Sequence, residues 1–174
     1  MATTALEVYD YAMRHRIGPH LRALGLKGSG QHYALPHEHA WALVGFQKAS
    51  GSRAAMVRFT IDLSVISRSA WAVLREEDPT CPTRPRPGAR YGVEGHVSRI
   101  GGLLPHSPDV WWSFGPGDAP PEKLAEPNAT DVCAVLSEYA VPYLHRSLEE
   151  ITRPTAPGET GVSRPTGVGA EADG

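Results

Sequence analysis

At 174 residues, 41% of them hydrophobic and 21% charged, the chain has the make-up of one globular domain and can bury a core without disulfide or metal staples. A net charge of −2 gives no electrostatic ground for tracking a phosphate backbone, so nucleic acid is not an expected partner. Cys81 and Cys133 lie far apart and form no C-x-x-C, which argues against a disulfide framework or zinc knuckle and fits a reducing cytoplasm. The first residues include acidic Glu7 and Asp10, and nowhere do about 18 apolar residues run together, so neither an export signal nor a membrane span is expected.

The first element is a helix. Leu6, Tyr9, Met13, Ile17, Leu21 and Leu24 recur at three- and four-residue spacing, which turns one stripe towards a core. Pro19 is expected to kink or divide it after Ile17, and Gly25, Gly28 and Gly30 end it in a turn-rich stretch. Gln31 to Ala34 reads as a short strand, Pro36-His37-Glu38 as a hairpin turn, and Ala40 to Ala49 as a strand apolar on both faces. Ser50-Gly51-Ser52 makes the next turn. The strand from Ala54 to Ile66 follows, with Val57, Phe59, Ile61, Leu63 and Val65 on one side and Arg58, Thr60, Asp62 and Ser64 on the other. Short links between these three strands make them antiparallel neighbours.

Ser67 or Ser69 caps a short helix through Ala70, Trp71, Val73 and Leu74. The stretch from Asp78 to Gly88, with Pro79, Pro82, Pro85 and Pro87, reads as a loop. Tyr91, Val93, Gly95 and Val97 alternate with Gly92, Glu94, His96 and Ser98 as a fourth strand, and Asp109 to Phe114 forms a fifth. Pro120 to Ala125 makes a helical turn. Asn128 or Thr130 then caps a helix bearing Val132, Val135, Leu136 and Tyr139, and Pro142 begins a further helical piece through Ile151. Strands grouped between terminal helices favour α+β: an antiparallel sheet of about five strands, with helices from both termini packed on one face and the other face open. Residues 1–152 make a single α+β domain, and 153–174, rich in Gly, Pro, Thr and Ser, a disordered tail.

Five segments stand in the order and rough spacing of a bacterial domain: Leu24-Gly25-Leu26-Lys27, Gly45-Phe46-Gln47-Lys48-Ala49-Ser50, Phe59 to Val65, Arg99-Ile100-Gly101 and Asp109-Val110-Trp111-Trp112. On these the chain resembles the bacterial domain-of-unknown-function family forty-three-oh-four, over roughly Ala5 to Ile151. The resemblance implies a small α+β domain and brings no established activity and no catalytic residue. Fourteen arginines against three lysines, with abundant Ala, Gly and Pro, fit a GC-rich bacterial coding sequence.

The open sheet face is where chemistry is expected. Arg58, Thr60, Asp62 and Ser64 belong there, with Glu94, His96 and Ser98 on a neighbouring strand. Asp62, Glu94 and His96 could form an acid/base set with Arg58 stabilising negative charge; the plain alternative is a solvated face whose charges pair across strands. Lys48, at the end of a buried strand, is either a ligand contact or an ordinary solvated cation. Trp111 and Trp112 must point opposite ways, so one enters the core and the other, beside Asp109, can anchor a partner or pack under a loop. His32, His37 and His39 are a possible metal set or merely a histidine-rich turn. No nucleophile elbow, phosphate-binding loop or dinucleotide fingerprint occurs, and no cofactor is expected. The residues favour a cytoplasmic binding module that holds a protein or small molecule through Lys48, Arg58, Thr60, Asp62, Glu94, His96, Asp109 and Trp111; the alternative is a small hydrolase or metal-dependent enzyme.

Overall fold

A computed structural model describes residues 2–51, 55–106 and 109–153. The tail expected at 153–174 lies, apart from Arg153, outside the described residues. Helix α1 (Ala5–Ala12) opens on a reciprocal cap: the Thr4 hydroxyl accepts from the Glu7 amide, and the Glu7 carboxylate accepts from the Thr4 amide at 2.7 Å. It runs through a wider turn of π geometry at Met13–Ile17 into α2 (Gly18–Ala23). Pro19 therefore does not divide the helix. Proline has no N–H to return to the preceding turn, and a turn closed by the longer bond from the Gly18 N–H to the Met13 carbonyl accommodates it.

The C-terminal helix repeats this device. It runs through α4 (Pro121–Val135), a π turn at Leu136–Ala140 and α5 (Val141–Thr152), with Pro142 just beyond the wide turn. The helix begins at Pro121 and passes through Pro127, so neither Asn128 nor Thr130 caps it. Asn128 instead donates from its side-chain amide to the Ser113 carbonyl at 2.7 Å. Buried Ala125, Ala129, Val132 and Leu136 hold the helix on the core, which outweighs the one backbone bond lost at an interior proline.

Among the described residues six strands form one antiparallel sheet: β1 (Lys27–Ser29), β2 (His32–Leu35), β3 (Ala40–Lys48), β4 (Val57–Ser67), β5 (Gly95–Arg99) and β6 (Trp112–Phe114). The first five lie in that order, and β6 pairs with the start of β4. On that edge β5 covers Asp62 to Ile66 and β6 covers Val57 to Phe59. Of the expected strands, β5 starts later, at Gly95, and β6 is shorter; β1 is an addition, too short and glycine-rich to show alternation. Ser67 caps α3 (Arg68–Glu77), accepting from the Ala70 amide.

The terminal helices pack on the face bearing Val57, Phe59, Ile61, Leu63 and Val65, each at most 2% exposed. Phe59 is the hub. Its ring centroid lies 5.5 Å from Tyr9, 6.1 Å from Phe46, and 5.8 Å from both Trp112 and Phe114. Trp112 is buried and donates its indole N–H to Asp131 at 2.6 Å, while Trp111 points the other way and is half-buried.

Candidate functional site

Directly opposed residues of an antiparallel pair share a face, so register decides which side chains meet. Opposite Gly45 and Thr60 on the polar side of β3 and β4 stand Asp62 and Gln47, and opposite Asp62 on β5 stands Arg99. His32 faces Gly45 from β2. One patch of the polar face thus gathers His32, Gln47, Asp62 and Arg99.

The same register corrects the expected neighbours. His96 pairs with Val65 and Ser98 with Leu63, which puts both on the helix-covered face; the His96 imidazole lies 3.4 Å from Glu150 of α5. Glu94 is exposed and precedes β5. The acid/base set Asp62, Glu94 and His96 is therefore parted by the sheet. Lys48 pairs with Phe59 and its ammonium lies 4.3 Å from the Tyr9 ring centroid, again on the helix side. Thr60 and Ser64 do lie on the polar face but are fully buried. The Thr60 hydroxyl donates to the Val110 carbonyl at 2.7 Å, and the Ser64 hydroxyl accepts from the Gly88 amide at 2.9 Å. Chain segments that cross the face take up both groups, so the face is open only between those segments.

The main cover is the proline-rich strap at 84–88. Pro87 lies on the bare backbone of Gly45: a Cβ there would sit 2.6 Å from the Pro87 Cβ. Gly88 has φ +77° and approaches so closely that a Cβ would lie 2.7 Å from Asp62 Cγ. Beneath and beside the strap is a cleft of about 550 Å³, lined by His32, Gln47, Asp62, Arg86 and Arg99 among others. That volume suits a small organic ligand.

Arg99 organises the cleft. Its Nε donates to Asp62 at 3.3 Å, Nη1 to Asp109 at 3.3 Å, and Nη2 to Gln47 at 3.0 Å. The Trp111 indole N–H donates to the other Asp109 oxygen at 2.9 Å, and the guanidinium carbons of Arg58 and Arg99 each lie 5.5 Å from the Trp111 ring centroid. Asp109 and Trp111 are thus joined to the sheet through Arg99. The Trp111 hydrogen bond, then Arg99, holds the Asp109 carboxyl below its ordinary range, whereas burial pushes Asp62 up and Arg99 only partly offsets it.

Because the folded state holds the Asp62 proton more tightly than the unfolded chain, the charged carboxylate opposes folding at neutral pH. That opposition fades as pH falls through the raised pKa towards the unfolded value of 3.8. The melting temperature of the native chain minus that of Asp62→Asn is expected to rise as pH is lowered from 7 to about 4. Paired melts across that range check it; a constant or shrinking difference contradicts the burial argument.

The histidine trio does not converge. His32 is at the start of β2, while His37 and His39 lie in the turn beyond Leu35, where the His37 ring accepts from the His39 amide. Among the described residues no three His, Cys, Asp or Glu side chains are grouped to hold a metal. Burial raises both thiols, Cys81 and Cys133, which disfavours the nucleophilic thiolate. No helix among the described residues is long and apolar enough to cross a membrane. Sequence reasoning missed Arg86, Gly88 and Arg99 as parts of the site; the signal for Arg99 was its place two residues after Val97, once Val97 is put on the polar face.

These features define a small α+β domain whose antiparallel sheet carries terminal helices on one face and a strapped polar cleft on the other. The chain belongs to the family described as Domain of unknown function (DUF4304), whose family model matches residues 17–146. No curated protein and no solved structure matches it.

Proposed function

We propose that the chain is a binding module that holds a small molecule or a protein segment on the polar sheet face, between the 84–88 strap and the Asp109–Trp111 corner. The observation that carries this reading is Arg99, which ties Gln47, Asp62 and Asp109 into one fixed frame at the mouth of the cleft. A frame whose donors and acceptors are already oriented loses little entropy on binding. Trp111, half-buried against two guanidinium groups, presents aromatic surface at the rim.

The test is a thermal-shift screen of metabolites and peptides on the full chain, repeated on the Trp111→Ala/Asp109→Ala variant. The double variant is expected to melt within a few degrees of the native chain, since both residues lie at the surface, and to lose the ligand-induced rise. A rise that both proteins share, or a collapse of the variant's own stability, overturns the assignment of this corner.

A second reading, a small hydrolase, draws on Asp62: a carboxyl raised by burial within a cleft has the profile of a general base. Turnover of an ester or phosphoester panel that disappears in Asp62→Asn distinguishes it from binding alone.

A further inference from the structure

The cavities around the strap differ in charge from the chain as a whole. Three of them adjoin, sharing Arg86, Pro87, Gly88, Asp62 or Arg99 along their borders. Their walls carry Lys27, Arg84, Arg86, Arg90 and Arg99 but a single acid, Asp62, although the chain's net charge is −2. That acid and Asp109 at the mouth are both engaged by Arg99, and among the described residues no further acid lines the walls beside Lys27, Arg84, Arg86 and Arg90. The sheet face under the strap is therefore a local concentration of positive charge, and low-dielectric walls strengthen its field in the cleft.

Among these cations Arg86 alone lines both the 550 Å³ cleft and its more apolar neighbour. Arg84 lies 5.5 Å from the Trp41 ring centroid, and Arg99 has its three partners. The Arg86 backbone amide donates to the Tyr91 hydroxyl, which anchors the strap at that residue. Its guanidinium has no hydrogen-bond or ion-pair partner among the described residues. His32 lines the same two cavities from β2, whereas Arg86 lines them from the strap. A forked donor and an imidazole lining one pair of adjoining cavities match an oxyanion, which a guanidinium can hold through two parallel hydrogen bonds.

We infer that the cleft beneath the strap binds a small molecule bearing a phosphate or carboxylate group, with Arg86 as its principal charged contact and His32 in the same wall. This deepens the proposed function and rests on its choice of the polar face. The apolar cavity between Trp41, Leu43 and Pro85 would take the rest of such a ligand, with the anionic group at Arg86.

The experiment is isothermal titration of the full chain at low salt with pyrophosphate, citrate, and a neutral and a cationic control, glucose and spermidine. The same ligands are followed by backbone amide shifts. Saturable binding of pyrophosphate or citrate is expected, with shifts at Gly45, Gln47 and Gly88. Affinity should fall about tenfold or more in Arg86→Ala, recover in part in Arg86→Lys, and weaken as salt is added. Preference between pyrophosphate and citrate separates a phosphate ligand from a carboxylate one. Anion binding unchanged by Arg86→Ala, or silence towards both anions, overturns the inference. If glucose or spermidine alone shifts Gly45 and Gly88, the anionic class fails while the binding reading of this face stands.

Discussion

Phe59→Ala is expected to destabilise the protein by about 3–5 kcal/mol, the usual range for deleting a buried aromatic ring. Phe59 is fully buried on the longest strand and sits between four rings from three other elements: Tyr9 of α1, Phe46 of β3, and Trp112 and Phe114 of β6. None of these can follow the vacated space without leaving its own strand or helix, so the cavity stays largely unfilled. A fall in melting temperature on the order of 10 °C corresponds to that loss in a chain of this length. Thermal melts with near-ultraviolet circular dichroism check it, since the aromatic cluster dominates that signal. A change of only a degree or two would mean that the core is organised around another residue.

Gly45→Val has the second largest expected effect, and it bears on the cleft. Valine is a favoured strand residue, and Gly45 pairs regularly with His32 and Asp62 in the centre of the sheet. The conflict lies above the sheet, where a Cβ would stand 2.6 Å from Pro87. The strap must lift, losing its contact with the sheet and the bond from the Gly88 amide to Ser64. An overpacking cost of about 1–3 kcal/mol follows, with faster hydrogen exchange at Gly88 and little change along β3 and β4. Lifting the strap also carries Arg86 away from the cleft, so anion affinity should fall in the same variant. Unchanged exchange at Gly88 would show that Pro87 does not lean on Gly45 in solution.

The fold was legible where residues repeat with a period. Alternation along Val57 to Val65 correctly marked β4 and its buried face, and the three- and four-residue spacing from Leu6 to Leu24 marked the first helix. Pro19 misled, and the start expected at Asn128 or Thr130 fell inside a helix that begins at Pro121, because a wide turn or a well-buried helix can absorb a missing N–H that local rules treat as a break.

The site was less legible, and the reason is register. Reading Val93, Gly95 and Val97 as a core-facing set put His96 and Ser98 on the polar side; the observed pairing of Val97 with Ser64 reverses them and brings Arg99 to Asp62 instead. A shift of one residue moves every side chain of a strand to the other face. Alternation within one strand cannot select between the two choices when both of its faces are mixed, as they are in β5.

By itself the sequence determined the α+β class, the antiparallel pairing of the strands joined by short links, the polar side of β4 and the opposite fates of Trp111 and Trp112, because each follows from local periodicity or link length. Only the tertiary structure decided that Thr60 and Ser64 are covered, that Lys48 serves the helix face, and that Arg86, Gln47, Asp62 and Arg99 share a cleft. Those outcomes depend on strand register and on where an aperiodic proline-rich segment comes to lie, and neither leaves a repeating pattern along the chain.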